Sequence, residues 1–440
     1  MRRKALTAVA AVSLLGLAVV VATRAGRRAP SEAPQGGDDA APSLAHASRT
    51  AEHDEPSAEP EVPPVAGLDL LHVVTVEGAA TAPAAGGVAR LTLDAELQRT
   101  AVGLMGAHHL PEAAIVVLDV ATGRVLAYAS HVDKGPPRDL CAEATAPSAS
   151  VFKVVTAAAL VEDAHLGPDT KQCYSGGEQR INSVDLVDDP ARDRWCTTLG
   201  GAMGRSINTV FARLASRHLT PTQLEGMARR FGYGAALSFD VPVQPSGLHV
   251  PPEPLDFART AAGFWNTTLS PLEAAEISAI VAREGEAVRP RIVDEVIAAD
   301  GKVAWTAPEA PSARRVVGRE TAAALAAMME HTVYEGTSWR AFHDGRGAAF
   351  LPGVNVAGKT GTLTDADTQR YYTWFTGFAP SRALPGVRQV AIAALVVNGP
   401  AWQVKANVLA RDVLRAYFAE HDVGGVTKPG LAAIARRHRR

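Results

Sequence analysis

The sequence lacks the features that indicate a nucleic-acid-binding or metal-binding protein. Its 44 lysine and arginine residues are balanced by 46 acidic residues, and the formal net charge is -2. This balance gives no basis for nucleic-acid binding. His108 and His109 are adjacent, and His53 lies beside Asp54, but neither group has the ligand spacing of a zinc site. We therefore expect no metal, no cofactor and no nucleic-acid partner.

Cysteine is also scarce, with 3 residues in the chain. That number suits an exported protein. Cys173 and Cys196 are close in sequence and could form a disulfide, and closing such a loop contributes roughly 3 kcal/mol. Cys141 would then remain as a buried thiol or as an alternative partner. The other possibility is that all three cysteines are buried free thiols.

The first 24 residues predict a membrane anchor. Residues 1–4 are basic, and residues 5–23 carry no charge and are mostly Ala, Val and Leu. About 20 apolar residues span a bilayer as a helix. A cleaved secretory signal, the alternative, has a shorter apolar core and a small-residue cleavage site, and no clean Ala-x-Ala directly precedes Arg24. The dense positive charge at the N-terminus favours a single span with the remaining chain on the periplasmic side.

The composition changes after the anchor and predicts the domain boundaries. Residues 25–64 contain almost no large apolar side chains and predict a disordered, Pro/Ala-rich linker. Residues 65–90 form a short lead-in segment, and residues 91–420 read as the folded domain. Residues 421–440 are a basic tail, expected to be solvated, with contact to anionic lipid or wall polymer as the alternative.

The folded domain begins and ends with predicted strands and has helices between them. This order predicts an α+β fold, in which both ends of the domain build an antiparallel sheet flanked by helices and a mostly helical second lobe. Asp94 is the expected N-cap of the first helix. The predicted helices cover residues 94–105, 150–162, 199–216, 221–231, 271–283, 320–333 and 403–418. The predicted strands cover residues 68–75, 113–118, 125–130, 293–298, 302–305, 355–362, 372–378 and 390–398.

Ser150 and Lys153 are the first candidate catalytic residues. Their spacing puts them on one helix face, about one turn apart. The preceding segment, Ala146-Pro147-Ser148-Ala149, is typical of a helix start, so Ser150 would lie near the positive end of the helix. That end favours an oxyanion, and Lys153 could accept the serine proton. The alternative is a plain helix with a buried serine and an exposed lysine.

Two further motifs follow in order along the chain. Ser206-Ile207-Asn208 lies in a predicted helix, and Lys359-Thr360-Gly361-Thr362 lies on a predicted strand. The series Ser-x-x-Lys, Ser-x-Asn and Lys-Thr-Gly resembles the active sites of penicillin-binding proteins and serine β-lactamases. The resemblance extends over roughly residues 91–418. Its other landmarks are residues 91–98, 115–130, 268–272, 336–338 and 374–380, together with the cysteine pair Cys173 and Cys196.

The resemblance implies that Ser150 attacks the carbonyl between two D-alanines of a peptidoglycan stem peptide and forms an acyl-enzyme. Lys153 is the implied base, made neutral by burial or by nearby positive charge such as that of Lys359. Ser206 would relay a proton to the leaving amine, and Asn208 would bind the substrate amide.

The strand motif is implied to hold the substrate at the edge of the sheet. Lys359, Thr360 and Thr362 would line the edge beside the substrate carboxylate, and Gly361 would let the substrate lie close. The backbone N–H groups of Ser150 and Thr362 would form the oxyanion hole.

Glu253 tests the β-lactamase alternative. Class A β-lactamases carry a deacylating glutamate in this region, followed by Leu and Asn at set spacing, whereas this chain has Asp256 and Phe257. We therefore interpret Glu253 as a loop residue. Without a group that activates water, the acyl-enzyme should be long-lived. This favours a transferase that β-lactams inhibit over a β-lactamase.

The sequence therefore predicts a membrane-anchored D,D-transpeptidase that crosslinks peptidoglycan. A D,D-carboxypeptidase or endopeptidase with the same site is one alternative, and a non-catalytic β-lactam-binding sensor or scaffold is another. The segment between the linker and Leu91 is too short for a glycosyltransferase domain. We therefore expect partner proteins to supply glycan synthesis.

Overall fold

The computed structural model describes residues 65–76, 78–177, 180–308, 312–400 and 402–437. The predicted anchor and the predicted linker, residues 1–24 and 25–64, lie outside the described residues. Among the described helices, none is both long and apolar enough to cross a membrane.

The strands are longest near the two ends of the described chain and mostly short between them. They are β1 Val74–Val76, β2 Ala79–Ala84, β3 Gly87–Leu91, β4 Glu112–Asp119, β5 Val125–Val132, β6 Ala146–Pro147, β7 Lys171–Tyr174, β8 Trp195–Thr198, β9 Thr268–Leu269, β10 Glu286–Val288, β11 Val293–Ala298, β12 Val303–Thr306, β13 Ala313–Arg315, β14 Ala357–Asp365, β15 Arg370–Ala379 and β16 Val390–Asn398.

Helices fill most of the middle of the chain. They are α1 Ala95–Ala107, α2 Lys153–Glu162, α3 Leu199–Arg205, α4 Asn208–His218, α5 Pro221–Arg230, α6 Pro254–Ala261, α7 Pro271–Ala282, α8 Arg319–Tyr334, α9 Trp339–Phe342, α10 Ala406–Glu420 and α11 Leu431–Arg437. Two short 3₁₀ turns cover Ala149–Phe152 and Ser183–Leu186.

The main sheet is antiparallel and has the order β14-β15-β16-β4-β5. Both ends of the domain build it, as the sequence predicts. Alternate residues of β4 enter two different hydrophobic clusters: Val116 belongs to one, and Ile115 and Val117 belong to the other. A strand points successive side chains to opposite faces, so both faces of this sheet are covered. Helix α1 contacts β5, and α10 contacts β15 and β16. Helix α7 contacts β4, β15 and β16.

The predicted α+β fold is confirmed. Helix α2 contacts α4, α5 and α8, which gives the helical lobe its centre. The 3₁₀ turn Ala149–Phe152 precedes α2 and also contacts β14 and β15. The turn that carries Ser150 therefore lies where the helical lobe meets the main sheet.

A second antiparallel sheet has the order β1-β2-β3-β11-β12. Its hairpin β11–β12 was predicted, and the predicted strand 68–75 overlaps β1 at its end, but β2 and β3 were not predicted. Their buried positions are occupied largely by alanine, such as Ala80, Ala82 and Ala89. Alanine is a weak strand former, so the alternation is hard to read in the sequence.

Four local predictions differ from the structure. The predicted helix 199–216 is two helices, because Ser206 adopts a left-handed conformation with φ 58° between α3 and α4. Ala146 and Pro147 form strand β6, paired with β9, and not a helix start. Helix α6 follows Glu253 directly and was missed. The described part of the basic tail includes helix α11, which contacts α1.

Candidate active site

The turn that carries Ser150 is held tightly on both sides. Trp374 of β15 donates a hydrogen bond from its indole N–H to the carbonyl of Pro147, at 2.9 Å. Ala149 adopts a left-handed conformation with φ 48°, which is unusual for a residue with a side chain. A Cβ on Gly263 would lie 2.4 Å from the carbonyl oxygen of Ala149, so only glycine fits there. This packing fixes the backbone on which Ser150 faces the cleft.

Lys153 is completely buried behind Ser150. Its Nζ lies 2.8 Å from Ser150 Oγ and donates hydrogen bonds to Asn208 Oδ1 at 2.7 Å and to the carbonyl oxygen of Ala262. Burial, aided by the positive charge of Lys359, holds the pKa of Lys153 well below its ordinary value. The neutral amine, which can accept a proton, is therefore favoured. The alternative of a buried serine with an exposed lysine is wrong, because the lysine is the buried member.

A second serine and lysine pair faces the first across the cleft. Lys359 of β14 is fully buried, and its Nζ donates to Ser206 Oγ at 2.9 Å and to the carbonyl oxygen of Thr360 at 2.8 Å. Burial lowers the pKa of Lys359 to about 7. The left-handed conformation of Ser206 ends α3 and lets its side chain reach this lysine. The pair can therefore carry a proton near neutral pH.

Asn208 connects Lys153 to the loop after β7. Its Oδ1 accepts from Lys153, and its Nδ2 donates to the carbonyl of Gly177 at 3.2 Å. The neighbouring Thr209 donates from Oγ1 to the carbonyl of Gly176 at 2.7 Å. Asn208 lines the cleft, as predicted for a substrate-binding residue, and it also positions Lys153.

Strand β14 lies at the edge of the main sheet, where it pairs with β15. The Ser150 turn also contacts it. Thr360 lies in the cleft, with its Oγ1 2.5 Å from Thr337 Oγ1. A Cβ on Gly361 would lie 3.2 Å from Ala149 Cβ and 3.1 Å from Trp374 Cβ. From the sequence, Gly361 was expected to let a substrate lie close to the strand. The structure gives a packing reason as well, because glycine lets β14 lie against the Ser150 turn.

Two adjoining cavities form the cleft, and Ser150, Asn208 and Thr362 line both of them. The residues predicted to form the oxyanion hole, Ser150 and Thr362, are thus at the junction. The smaller cavity, about 330 Å³, is also lined by Ser206, Thr337, Thr360, Gly361, Thr373, Trp374, Lys405 and Asn407. The larger one, about 580 Å³, is also lined by Arg180, Ala262, Gly263, Phe264, Trp265, Leu363 and Thr364.

Several cleft residues were missed by the sequence analysis. Thr337 lies in a segment that the family resemblance includes, but it was given no role. Arg180, Trp265 and Lys405 come from separate parts of the chain and belong to no motif. Their place in the cleft depends on tertiary packing, and no local sequence signal identifies it.

The cysteines lie beside the site and not in it. Cys173 and Cys196 form a disulfide between β7 and β8, and Cys141 is a buried free thiol. The predicted pairing is the one that the structure contains. No group of acidic, histidine and cysteine side chains suited to a metal ion occurs in the described ranges.

Two buried lysines, each hydrogen-bonded to a serine in one cleft beside an edge strand, are typical of a serine acyl-transfer centre. The family model for the penicillin-binding protein transpeptidase domain matches residues 113–415. The chain therefore belongs to this family, and the resemblance drawn from its motifs is confirmed.

Curated relatives carry names of the same family. The penicillin-binding protein PbpB of Mycolicibacterium smegmatis is 30% identical over 67% of this chain and 49% of its own length. The peptidoglycan D,D-transpeptidase PbpA of Mycobacterium tuberculosis is 28% identical over 71% of this chain and 68% of its own length. The chain thus spans about half the length of PbpB.

Solved structures share the fold. The D,D-transpeptidase domain of a peptidoglycan glycosyltransferase from Eggerthella lenta matches with TM-score 0.61 and 24% identity, over 75% of this chain and 82% of that one. Penicillin-binding protein A of M. tuberculosis, solved as an imipenem acyl-enzyme complex, matches with TM-score 0.59 and 25% identity. That match covers 74% of this chain and 79% of the other.

Proposed function

We propose that the protein is a peptidoglycan D,D-transpeptidase that works through an acyl-enzyme on Ser150. One observation carries the proposal: Nζ of the fully buried Lys153 lies 2.8 Å from Ser150 Oγ. Burial makes this lysine a base, and the distance is right for direct proton transfer. The membership of the transpeptidase family supports the same chemistry.

In the first half-reaction, Ser150 Oγ attacks the carbonyl carbon between the two D-alanines, and its proton passes to Lys153. The backbone N–H groups of Ser150 and Thr362 stabilise the oxyanion. The C–N bond then breaks, and the leaving amine takes a proton from Ser206, which Lys359 replenishes at 2.9 Å. D-Alanine departs and the peptide stays as an ester on Ser150.

In the second half-reaction, an amine of a neighbouring stem peptide attacks the ester carbonyl. The amine passes a proton through Ser206 back to Lys359, a new amide forms as the ester C–O bond breaks, and Ser150 regains its hydroxyl proton from Lys153. The edge of β14, with Lys359, Thr360, Gly361 and Thr362, holds the donor peptide next to Ser150. The smaller cavity, which Thr337 and Lys405 also line, takes the carboxylate of the leaving D-alanine.

β-Lactams should acylate the same serine and inhibit the enzyme. A solved relative, penicillin-binding protein A of M. tuberculosis, is an acyl-enzyme with imipenem. Since no dedicated water-activating group is assigned to this site, the acyl-enzyme should persist until an amine arrives.

The test is an assay of the purified protein with a stem pentapeptide, with and without an amine acceptor. We expect release of D-alanine and formation of crosslinked product when the acceptor is present. Release of D-alanine without crosslinked product would overturn transpeptidation in favour of a D,D-carboxypeptidase or endopeptidase. Absence of any turnover, with penicillin binding intact, would point to a sensor or scaffold.

The placement of the domain is part of the proposal. Residues 5–23 would anchor the chain in the cytoplasmic membrane as a single span, and residues 25–64 would act as a tether. The catalytic domain would then face the peptidoglycan on the periplasmic side, as exported substrates require. Glycosyltransferases or other wall-synthesis proteins would be its partners.

A further inference from the structure

Among the described residues that line the larger cavity of the cleft, one is charged, Arg180. The other described lining residues are polar and uncharged or apolar, and none of them is acidic. Trp265 contributes a half-exposed ring to the same cavity. The cavity thus presents one positive charge and a flat apolar surface to whatever enters it.

The described residues on either side of Arg180 are held by hydrogen bonds from two helices. Ile181, the next residue, is buried, and Arg259 of α6 donates from Nε to its carbonyl oxygen at 3.1 Å. On the upstream side, the carbonyl of Gly177 accepts from Asn208 of α4. Arg180 therefore directly precedes a residue whose backbone is held in place beside the cleft.

The guanidinium of Arg180 has no ion pair or side-chain hydrogen bond with the described part of the chain, in contrast to Arg259, whose Nη1 lies 3.1 Å from Asp256 Oδ1. The side chain is exposed at the cavity and free to meet a ligand. A guanidinium binds a carboxylate through two parallel hydrogen bonds, and this geometry distinguishes it from an amide.

The direction of strand β14 shows which part of the substrate lies there. The leaving D-alanine occupies the smaller cavity near Thr360, so the peptide before the scissile bond extends past Thr362 towards Thr364. One residue of extended chain covers about 3.3 Å. The larger cavity therefore receives the one or two residues that precede the acylated D-alanine.

We propose that Arg180 binds a carboxylate of the donor stem peptide, on a residue shortly before the acylated D-alanine, with Trp265 packing against that residue. The enzyme would then select donor peptides by the charge state of this group, using a free carboxylate in preference to its carboxamide. The proposal rests on the proposed function of the site.

The test compares two donor peptides that differ only in a carboxylate or a carboxamide at this position. For the wild type, we expect kcat/KM for D-alanine release to favour the carboxylate peptide by about 10- to 100-fold. In Arg180→Gln this preference should fall to near unity, through loss on the carboxylate peptide alone. Arg180→Lys should restore part of the preference, because lysine keeps the charge but not the paired hydrogen bonds.

Acylation by benzylpenicillin, which carries no carboxylate in its acyl side chain, serves as the control for an intact site. Arg180→Gln should still be acylated, with a change in rate much smaller than its loss on the carboxylate peptide. Arg194→Gln removes an exposed arginine outside the cleft and should keep the wild-type preference. An equal loss on both peptides, or an unchanged preference in Arg180→Gln, would overturn the proposal.

Failure of the proposed function gives a different result. In that case the wild type would turn over neither peptide while penicillin still acylates it. The proposal for Arg180 is then decided by competition: the carboxylate peptide should slow penicillin acylation more than the carboxamide peptide does, and only when Arg180 is present. Equal slowing by the two peptides would reject it.

Discussion

Two lysines without exposure to water lie within one cleft, and their hydrogen bonds determine what each can do. Lys153 Nζ lies 2.8 Å from Ser150 Oγ, and Lys359 Nζ donates to Ser206 Oγ at 2.9 Å. Because each amine is buried, its charged form is disfavoured, and its pKa lies below the ordinary lysine value of 10.5. The chemistry at pH 7 depends on this shift, since an ordinary lysine would be protonated and could not accept a proton.

Lys153→Ala should therefore slow acylation by a chromogenic β-lactam by about 10² to 10⁴-fold, the usual contribution of a general base. In the wild type the rate should rise with pH as Lys153 loses its proton, and it should reach a plateau well below pH 10.5, because the pKa of Lys153 is lowered. Stopped-flow kinetics across the pH range measures both. Lys171→Ala, at an exposed lysine, is the control and should behave as wild type. Wild-type rates in Lys153→Ala would contradict the assignment.

Glu273 of α7 gives a prediction about stability. It is 1% exposed, its Oε2 accepts from Ser246 at 2.6 Å, and its Oε1 has no hydrogen-bond partner in the described chain. Burial raises the pKa of Glu273 to about 7, with Glu276 as a further negative neighbour. The folded protein therefore holds a proton that the unfolded chain releases above its ordinary pKa of 4.5.

The contribution of Glu273 to stability is fully present below about pH 4.5 and is lost as pH rises to about 7. The loss is on the order of 3 kcal/mol. Glu273→Gln removes this ionisation, so the free energy of unfolding should fall less between pH 5 and pH 8 than in the wild type. Urea unfolding at the two pH values measures the difference. Glu225→Gln, on the surface of α5, should leave the slope unchanged. An equal slope in Glu273→Gln and wild type would show that Glu273 is ionised in the fold.

At the level of elements, the contact between α3 and the segment after α8 positions Thr337. A Cβ on Gly336 would lie 2.1 Å from the carbonyl oxygen of Gly204, and Thr337 donates its N–H to the same oxygen at 3.0 Å. The backbones of these two segments are therefore in direct contact at Gly336 and Gly204. Any side chain at residue 336 must push the two segments apart and shift Thr337 relative to Thr360.

Gly336→Ala should destabilise the protein by about 1–3 kcal/mol, as overpacking does. It should also slow acylation, because the Thr337 side of the cleft moves. Gly226→Ala is the matched control: Gly226 lies inside α5, and a Cβ there would meet nothing within 4 Å. Alanine at that site should stabilise by about 0.5–1 kcal/mol. Thermal unfolding measures both variants, and wild-type stability in Gly336→Ala would contradict the packing argument.

The sequence predicts the elements best where apolar runs are long. Strand β16 was predicted over Val390–Asn398 and is observed over the same residues. Asp94 caps α1 as predicted, with its Oδ1 accepting from the N–H groups of Glu96 and Leu97. The break between helices α3 and α4 at Ser206 could not be predicted, because a serine in the left-handed conformation has no sequence signature.

In the candidate site, too, some residues could be predicted from the sequence and others could not. Its motif residues were predicted because serine, lysine and asparagine occur at fixed spacing within elements, and the structure brings Ser150, Lys153, Ser206, Asn208 and Lys359 together. Arg180 and Lys405 could not be predicted, since each reaches the cleft from a loop or helix start that only the folded arrangement brings near Ser150.

At the scale of the whole molecule, the Ser150 turn lies between a helical lobe and the main sheet, and each supplies one lysine to the cleft. Neither α2 nor β14 has a complete site alone. The site therefore depends on the packing of the whole domain, and buried residues that do not line the cleft, such as Glu273, affect it through stability.

The proposed anchor gives a prediction at this scale. The full chain should sediment with membranes and resist extraction by sodium carbonate, because residues 5–23 are long and apolar enough to span a bilayer. Deletion of residues 1–24 should release a soluble domain that still binds penicillin. Fractionation followed by penicillin labelling measures both. Carbonate extraction of the full chain would contradict the anchor, and loss of labelling in the deletion would show that the domain needs it.

The central claim is that Ser150 forms the acyl-enzyme, and mass spectrometry after reaction with benzylpenicillin tests it most directly. The account predicts one covalent adduct per chain, located on the peptide that contains Ser150. The adduct should be absent from Ser150→Ala and present in Ser238→Ala, at an exposed serine outside the cleft. An adduct on a different residue, or an undiminished adduct in Ser150→Ala, would contradict the account.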